Sequence, residues 1–251
     1  QICIYEYVGT NMNKEKLLYE NSKHALQSDN IIAITNRHLC SRPFMEQLER
    51  VCKLHPHAIV LREKDMPEAE YLSLARDVIA LCKKYDVQGM LHSFINVAME
   101  LEHPYIHLPL PILEAYVKKN VSGNISTGMS KSTDNYQQFF KVIGPSVHSV
   151  EDAIKAEQLG ATYMTAGHIF ATDCKKGLPP RGLDFLKNVC DAVGIPVYAI
   201  GGINIASSDD STASDSPSAY DAMPDISVPR LAEVMECGAA GGCIMSGMMR
   251  V

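Results

Sequence analysis

The chain has 251 residues, of which 46% are apolar and 21% charged, and its formal net charge is −6. This is the balance of a globular domain long enough to bury a substantial core. The negative charge and the lack of a Lys/Arg-rich run argue against nucleic acid or a membrane surface as partners. No apolar run is long enough to span a bilayer, and no segment reads as a signal peptide.

From residue 31 onwards, short apolar segments alternate with helix-like segments. Residues 1–29 are less regular and are expected to form an N-terminal extension, with a weak helical pattern over 14–26. The predicted strands are Ile31–Thr35, Ala58–Leu61, Gly89–Leu91, Tyr105–Leu108, Lys141–Ser146, Ala161–Ala166, Pro196–Ile200 and Ala239–Met245. The predicted helices are Phe44–Leu54, one around Tyr71–Tyr85, Val150–Leu159, Leu183–Val193 and Leu231–Cys237.

Local capping signals mark some helix starts. Asp65 with Glu68 three residues later forms a plausible capping pair beside Pro67. Ser149 and Asp152 can cap the helix that begins at Val150. The segment 111–138 starts as a helix and then becomes rich in Ser, Asn, Thr and Gly, which is typical of a loop.

Strands that are apolar on both faces, each followed by a helix, predict a parallel sheet covered by helices. Eight such units in this length favour a closed (β/α)8 TIM barrel, a single domain over residues 30–251, over an open doubly wound sheet. No G-x-G-x-x-G follows the first strand, which weakens a dinucleotide-binding alternative. An inserted loop is expected at about residues 206–229, after strand 7, and no closing helix is expected after strand 8. An isologous homodimer is the default expectation.

Eight cysteines are spread along the chain, and none forms a C-x-x-C pair. Cys82, Cys190 and Cys243 fall on apolar faces or strands. This pattern is typical of reduced, buried thiols and not of a disulfide framework or a zinc site. We therefore expect a cytoplasmic protein.

Glycines and cations follow several strands, at the barrel face where catalytic groups gather. Gly201 with Gly202 and Ser246 with Gly247 close strands 7 and 8, where backbone N–H groups commonly hold phosphate. Arg62 and Lys64 follow strand 2 and face either Glu63 and Asp65 or a bound anion. Lys175 or Lys176, beside Gly177, can fold over an anionic substrate, although exposed lysines are mostly solvated.

Four histidines, His92, His107, His148 and His168, fall at or just past strand ends. Each alone reads as a hydrogen-bonded rim residue, but together they favour at least one general acid or base. No H-x-x-x-H or H-E-x-x-H spacing is present, so no metal site is predicted. His55 and His57 precede a strand on the opposite rim and are expected to be structural.

Together these landmarks resemble the thiamine phosphate synthase/thiazole tautomerase superfamily of barrels, over residues 31–249. The matching segments are Leu61–Asp65, Ser146–Ser149, Gly167–Gly177, Ile200–Ile203 and Met245–Gly247. The synthase branch joins a pyrimidine diphosphate to a thiazole phosphate and uses Mg2+. The carboxylates of that branch are replaced here by His92-Ser93 and Leu110-Pro111-Ile112. Mg2+ prefers oxygen ligands, so an imidazole is a poor substitute for a carboxylate.

Two segments resemble the tautomerase branch. One is the Val-His-Ser sequence at 147–149, and the other runs from Gly-His to Cys-Lys-Lys-Gly-Leu over 167–178. The resemblance implies aromatisation of a carboxythiazole phosphate without cofactor, with Mg2+ needed only if the synthase alternative holds. His148 is the hypothetical acid/base, and His168 a second proton carrier or a supporting residue. The residues expected to hold the phosphorylated thiazole are Arg62, Lys64, His92, Ser146, Lys175, Gly201, Gly202, Ser246 and Gly247. The alternatives are thiamine phosphate synthase and a non-catalytic thiazole-phosphate-binding regulator.

Overall fold

A computed structural model describes residues 29–125, 139–206 and 227–251. Its eight strands form one closed parallel barrel in sequence order, which confirms the predicted (β/α)8 class. The strands are β1 Ile31–Ile34, β2 Ala58–Leu61, β3 Gln88–His92, β4 Tyr105–Pro109, β5 Val142–Val147, β6 Met164–Gly167, β7 Val197–Ile200 and β8 Gly241–Ile244. The helices are α1 Phe44–Lys53, α2 Glu68–Lys84, α3 Ile95–Glu100, α4 Leu110–Ile125, α5 Val150–Gln158, α6 Gly182–Ala192 and α7 Pro229–Glu236.

The apolar strands supply two separate cores, because successive side chains of a strand point to opposite faces. One face packs under the helices, where Leu61 and Leu91 are buried. The other fills the barrel interior, where Val60, Met90 and Tyr163 lie. This alternation decides which polar residues reach the barrel axis at the carboxyl ends of the strands.

Residues 245–251 follow β8, contain no helix and pack over the barrel seam beside it. Met248 and Met249 are buried there. The Gln47 amide of α1 donates to the Met248 carbonyl at 2.8 Å. Segment 245–251 is thereby held against α1.

The expected insertion leaves and rejoins the barrel at one place. Ala206 N–H donates to the Ser227 carbonyl at 2.7 Å, so the flanks of residues 207–226 meet. Those residues, and the proposed extension apart from Asp29, lie outside the described part of the chain. In the described ranges no helix combines the length and apolar character needed to cross a bilayer.

Three local predictions need correction or extension. Pro67 is the N-cap of α2 and no side chain caps it, so the Asp65–Glu68 capping pair is wrong. Asp65 is held by another partner, described below. The helix predicted to start near residue 111 runs from Leu110 to Ile125, further than its polar composition indicated. Helix α3 was not predicted. The predicted Ser149 cap on α5 is confirmed, since the Asp152 N–H donates to the Ser149 side chain.

Candidate active site

The carboxyl ends of the strands form one mouth of the barrel, and strand alternation decides which side chains face its axis. Arg62 lies two residues beyond Val60, and His92 two beyond Met90, both of which line the interior. Ser146 and His148 occupy the corresponding positions at the end of β5. The mouth therefore combines cationic, imidazole and hydroxyl groups from neighbouring strands.

The two carboxylates after β2 are already paired, and not with Arg62 or Lys64. Arg37, just after β1, lies 3.0 Å from the buried Glu63 carboxylate and 2.8 Å from Asp65. Glu63 also accepts the Thr35 hydroxyl at 2.7 Å. The sequence left open whether Arg62 and Lys64 pair with Glu63 and Asp65. In the structure those two carboxylates pair with Arg37 instead.

Arg62, Lys64 and Lys175 form a cluster of positive charge. Burial first, and then the charges of Arg62 and Lys175, lower the pKa of Lys64. Among the described ion pairs none involves these three residues. Like charges without a carboxylate partner favour a bound anion, so the predicted anion role of the three residues fits the geometry.

His92 and His107 are buried within their strands, although the sequence suggested that they lie on the rim of the barrel. His107 sits within β4 and not past its end, and it is only 4% exposed. The two rings stack with centroids 5.6 Å apart. Burial, followed by the charges of Arg62 and Lys64, lowers the pKa of His107 to about 3. Burial and the adjacent His107 also lower the pKa of His92. Both rings are therefore neutral near pH 7 and are poor proton carriers.

His148 contrasts with that pair because its side chain is exposed. Its backbone N–H donates to the Asp152 carboxylate at 3.2 Å, which ties the residue to the capped start of α5. No described residue forms a hydrogen bond with its ring. An exposed imidazole at the mouth, held by a fixed backbone, is able to exchange protons with a bound molecule.

His168 is half-buried and its Nε2 lies 3.4 Å from the Leu178 carbonyl. The ring thus contacts the loop that carries Lys175. A Cβ at Gly201 would stand 2.4 Å from the His168 Cβ, so glycine is needed for this approach. The contacts favour the supporting role over the role of second proton carrier.

The predicted phosphate loops after β7 and β8 lie side by side. The Ser246 hydroxyl lies 3.5 Å from the Asn204 side-chain oxygen. Gly202 has φ +71, and a Cβ there would lie 2.6 Å from the Ala171 carbonyl oxygen. A Cβ at Gly247 would come within 3.2 Å of Ile205. Small residues therefore let these backbones approach each other closely at the end of the barrel where phosphate is often bound.

Arg230 in the first turn of α7 supports this region. Its guanidinium donates to the Gly202 carbonyl at 2.9 Å and lies 4.3 Å from the Phe170 ring centroid. The hydrogen bond from Arg230 to the Gly202 carbonyl holds the loop after β7 in place. Arg230 thereby joins the loops after β6 and β7.

The side chains of the mouth are a poor match for a divalent metal. The described residues contain no group of three or more His, Cys, Asp or Glu side chains that could hold a metal ion. The nearest buried carboxylate, Glu63, is already engaged by Arg37 and Thr35. The described side chains of the mouth therefore present no carboxylate cluster for Mg2+, which prefers carboxylate oxygen.

Sequence reasoning missed Arg37, Tyr163, Thr165 and Arg230. Arg37 follows β1 as Arg62 follows β2, so its place after a strand was a usable signal. Tyr163 lies two residues before Thr165, and both line the interior by alternation. Arg230 offered no signal, because the expected insertion separates it from Gly202 in the sequence.

Comparisons with known proteins agree with this architecture. Residues 31–216 match the family described as Thiamine monophosphate synthase (TMP-TENI). A protein of Aquifex aeolicus provisionally named thiamine-phosphate synthase 2 is 35% identical over 69% of this chain and 84% of its own length. Thiamine-phosphate synthase of Caldanaerobacter subterraneus subsp. tengcongensis is 30% identical over 69% of this chain and 75% of its own. A solved structure of thiamine phosphate pyrophosphorylase from Pyrococcus furiosus shares the fold, with TM-score 0.62, 24% identity and coverage of 90% and 89%.

Proposed function

Since the chain belongs to the thiamine monophosphate synthase family, we propose that it acts on a phosphorylated thiazole and isomerises it by proton transfer. The reaction is the aromatisation of a carboxythiazole phosphate. A proton leaves ring carbon C2 and a proton is added at the exocyclic carbon, so neither oxidant nor metal is consumed. His148 is the acid/base, and the mouth cations and glycine loops hold the carboxylate and the phosphate.

The observation that carries this proposal is the donor set of the mouth. An exposed imidazole follows β5 at the same barrel mouth as Arg62, Lys64 and Lys175, while Glu63 and Asp65 are held by Arg37. Such a site binds an anion and moves protons. The resemblance of segments 147–149 and 167–178 to the tautomerase branch supports the same assignment.

Thiamine phosphate synthase is the second candidate, and the names of the relatives favour it over the isomerase. That activity joins a pyrimidine diphosphate to a thiazole phosphate, and Mg2+ would neutralise the diphosphate when bound. Two carboxylates beside the mouth, Glu63 and Asp65, are held by Arg37 and are not free to bind that ion. The names of the relatives and the chemistry of the mouth thus point to different members of one family.

One pair of assays separates the candidates. The purified chain is incubated with the unaromatised carboxythiazole phosphate, and separately with pyrimidine diphosphate, thiazole phosphate and Mg2+. We expect aromatic product in the first assay, detected by its ultraviolet absorbance, and no thiamine phosphate in the second. Mg2+-dependent thiamine phosphate formation would overturn the proposal in favour of the synthase. Binding of thiazole phosphate with no turnover in either assay would indicate a non-catalytic ligand-binding protein.

A further inference from the structure

A row of four polar side chains crosses the barrel interior directly below the mouth. Tyr163 Oη lies 2.7 Å from His107 Nδ1, and His107 Nε2 lies 2.9 Å from Ser146 Oγ. Thr165 Oγ1 lies 3.1 Å from the same serine oxygen. The row spans strands β4, β5 and β6, whose registers place Ser146 beside both Pro109 and Thr165.

The buried end of this row fixes its hydrogen positions. Tyr163 is 6% exposed, and His107 Nδ1 is the one partner of its hydroxyl among the described residues. A buried hydroxyl that failed to donate its hydrogen would lose free energy. The Tyr163 O–H therefore donates to Nδ1, which must be an unprotonated acceptor.

The protonation state and tautomer of His107 then determine whether its Nε2 donates a hydrogen to Ser146 Oγ. A neutral imidazole carries one N–H, and burial lowers the pKa of His107 to about 3. With Nδ1 as the acceptor, the hydrogen sits on Nε2 and is donated to Ser146 Oγ. Thr165 is 2% exposed and donates its hydroxyl hydrogen to the same oxygen.

Ser146 thus accepts two hydrogen bonds and retains its own hydrogen. It is also the one half-buried member of the row, whereas the other three are buried. We infer that Tyr163 is a positioning residue that holds His107 as the Nε2–H tautomer and thereby makes Ser146 an obligate hydrogen-bond donor to the bound heterocycle. The ligand atom opposite Ser146 must therefore be an acceptor, such as the thiazole ring nitrogen.

This inference rests on the proposed function only for the identity of the heterocycle. The tautomer itself is testable without any ligand, by long-range 15N–1H NMR of the histidine-labelled protein. We expect Nε2–H for His107 in the unaltered chain and loss of that single tautomer in Tyr163→Phe. An Nδ1–H tautomer in the unaltered chain would overturn the inference.

His103 serves as an internal reference for this measurement. Its Nε2 lies 2.8 Å from the Gly89 carbonyl, which only accepts, so His103 is an Nε2–H tautomer. Its signals should not change in Tyr163→Phe. Tyr198→Phe removes the hydroxyl of another buried interior tyrosine, which forms no described hydrogen bond with His107, and should leave both histidines unaltered.

Calorimetric titration with thiazole phosphate tests the consequence at the mouth. Ser146→Ala and Tyr163→Phe are each expected to weaken binding about tenfold, as for one lost hydrogen bond. The double variant should bind no more weakly than Ser146→Ala, because Tyr163 acts through Ser146. Losses that multiply would contradict the inference. If the unaltered chain binds no thiazole phosphate, the proposed function fails while the tautomer result still stands.

Discussion

The two terminal nitrogens of Arg37 each lie 2.8 Å from a different carboxylate oxygen of Asp65. This bidentate pair joins the loop after β1 to the loop after β2. The same guanidinium reaches the buried Glu63 at 3.0 Å. One arginine therefore engages both carboxylates beside Arg62 and Lys64 and leaves those two cations available for an anion.

Arg37→Met should weaken substrate binding more than it slows the chemical step. With Arg37 removed, Asp65 keeps only His38, at 2.8 Å, and its less neutralised charge can attract Lys64, so KM should rise about tenfold with a smaller change in kcat. Leaving the buried Glu63 without its cation should also cost about 1–3 kcal/mol of unfolding free energy. Steady-state kinetics and urea unfolding measure the two effects.

Arg76→Met is the matched control for Arg37→Met. Arg76 pairs with Glu100 at 3.2 Å, and both side chains are more than half exposed. Exposed pairs contribute little, so neither KM nor unfolding should change measurably. Equal effects of the two substitutions would contradict the role given to Arg37.

Lys64→Met should stabilise the unliganded protein while weakening anion binding. The pKa of Lys64 is lowered by burial and by Arg62 and Lys175, so its charged form costs folding free energy at neutral pH. That cost disappears as pH rises through the lowered pKa, and anion affinity should fall over the same range, below the 10.5 of an unperturbed lysine. Thermal unfolding and phosphate-ligand titrations against pH check both effects.

Lys84→Met is the control, because it is expected to change stability in the opposite direction to Lys64→Met. Hydrogen bonds from Lys84 to Glu49 and Tyr85 raise the pKa of Lys84, so its charge favours the folded state. Its removal should lower the melting temperature slightly and leave ligand affinity unaltered. A Lys64→Met protein that melts lower than the parent would refute the like-charge argument.

The sequence alone predicted the barrel because its strands are continuous apolar runs. Ala58–Leu61 was predicted at the bounds that the structure has. The Ser149 cap was equally readable, since a serine oxygen and the N–H three residues later meet whenever a helix begins there. Helix α3, Ile95–Glu100, was not predicted because it is only six residues long and its N-cap, Phe94, offers no side-chain hydrogen bond.

Contacts between loops were beyond the reach of the sequence. Arg37 and Asp65 are 28 residues apart, and so are Gly202 and Arg230. Each pair meets only because neighbouring strands, or a strand and its helix, bring the loops together. The sequence therefore indicated which charges surround the mouth but not which of them are paired.

Gly201→Ala should disturb the mouth more than Gly177→Ala, although both glycines have positive φ. Gly177 has φ +87 with nothing within 4 Å of an added Cβ, so its substitution should cost about 1–2 kcal/mol from backbone strain alone. Gly201 has φ +100, and its Cβ would also meet His168 at 2.4 Å. We expect Gly201→Ala to lower both stability and turnover beyond the Gly177→Ala values. Indistinguishable variants would show that His168 is not held by this approach.

Arg230→Met should raise KM for the phosphorylated substrate with little effect on kcat. The substitution removes the donor to the Gly202 carbonyl and the cation from the Phe170 ring, so the loop after β7 loses its support. Arg181→Met is the control, since Arg181 lies 5.2 Å from the Phe185 ring centroid and no described side-chain hydrogen bond joins it to Gly202. Arg230→Lys should restore only part of the affinity, because a lysine cannot stack and donate in the same planar geometry. An unaltered KM in Arg230→Met would refute this support.

His148→Ala should remove isomerase activity and leave thiazole-phosphate affinity nearly unchanged. The imidazole is expected to move the reacting proton, a contribution of about 10²–10⁴-fold in rate, whereas the anion is held by other groups. Turnover of the carboxythiazole phosphate and calorimetric titration with the aromatic phosphate measure the two quantities. His57→Ala is the matched control, because that histidine lies before β2 on the opposite rim and stacks on Tyr198 at 5.6 Å. Full turnover in His148→Ala would assign the proton transfer to another group, and loss of affinity without loss of kcat would make His148 a binding residue.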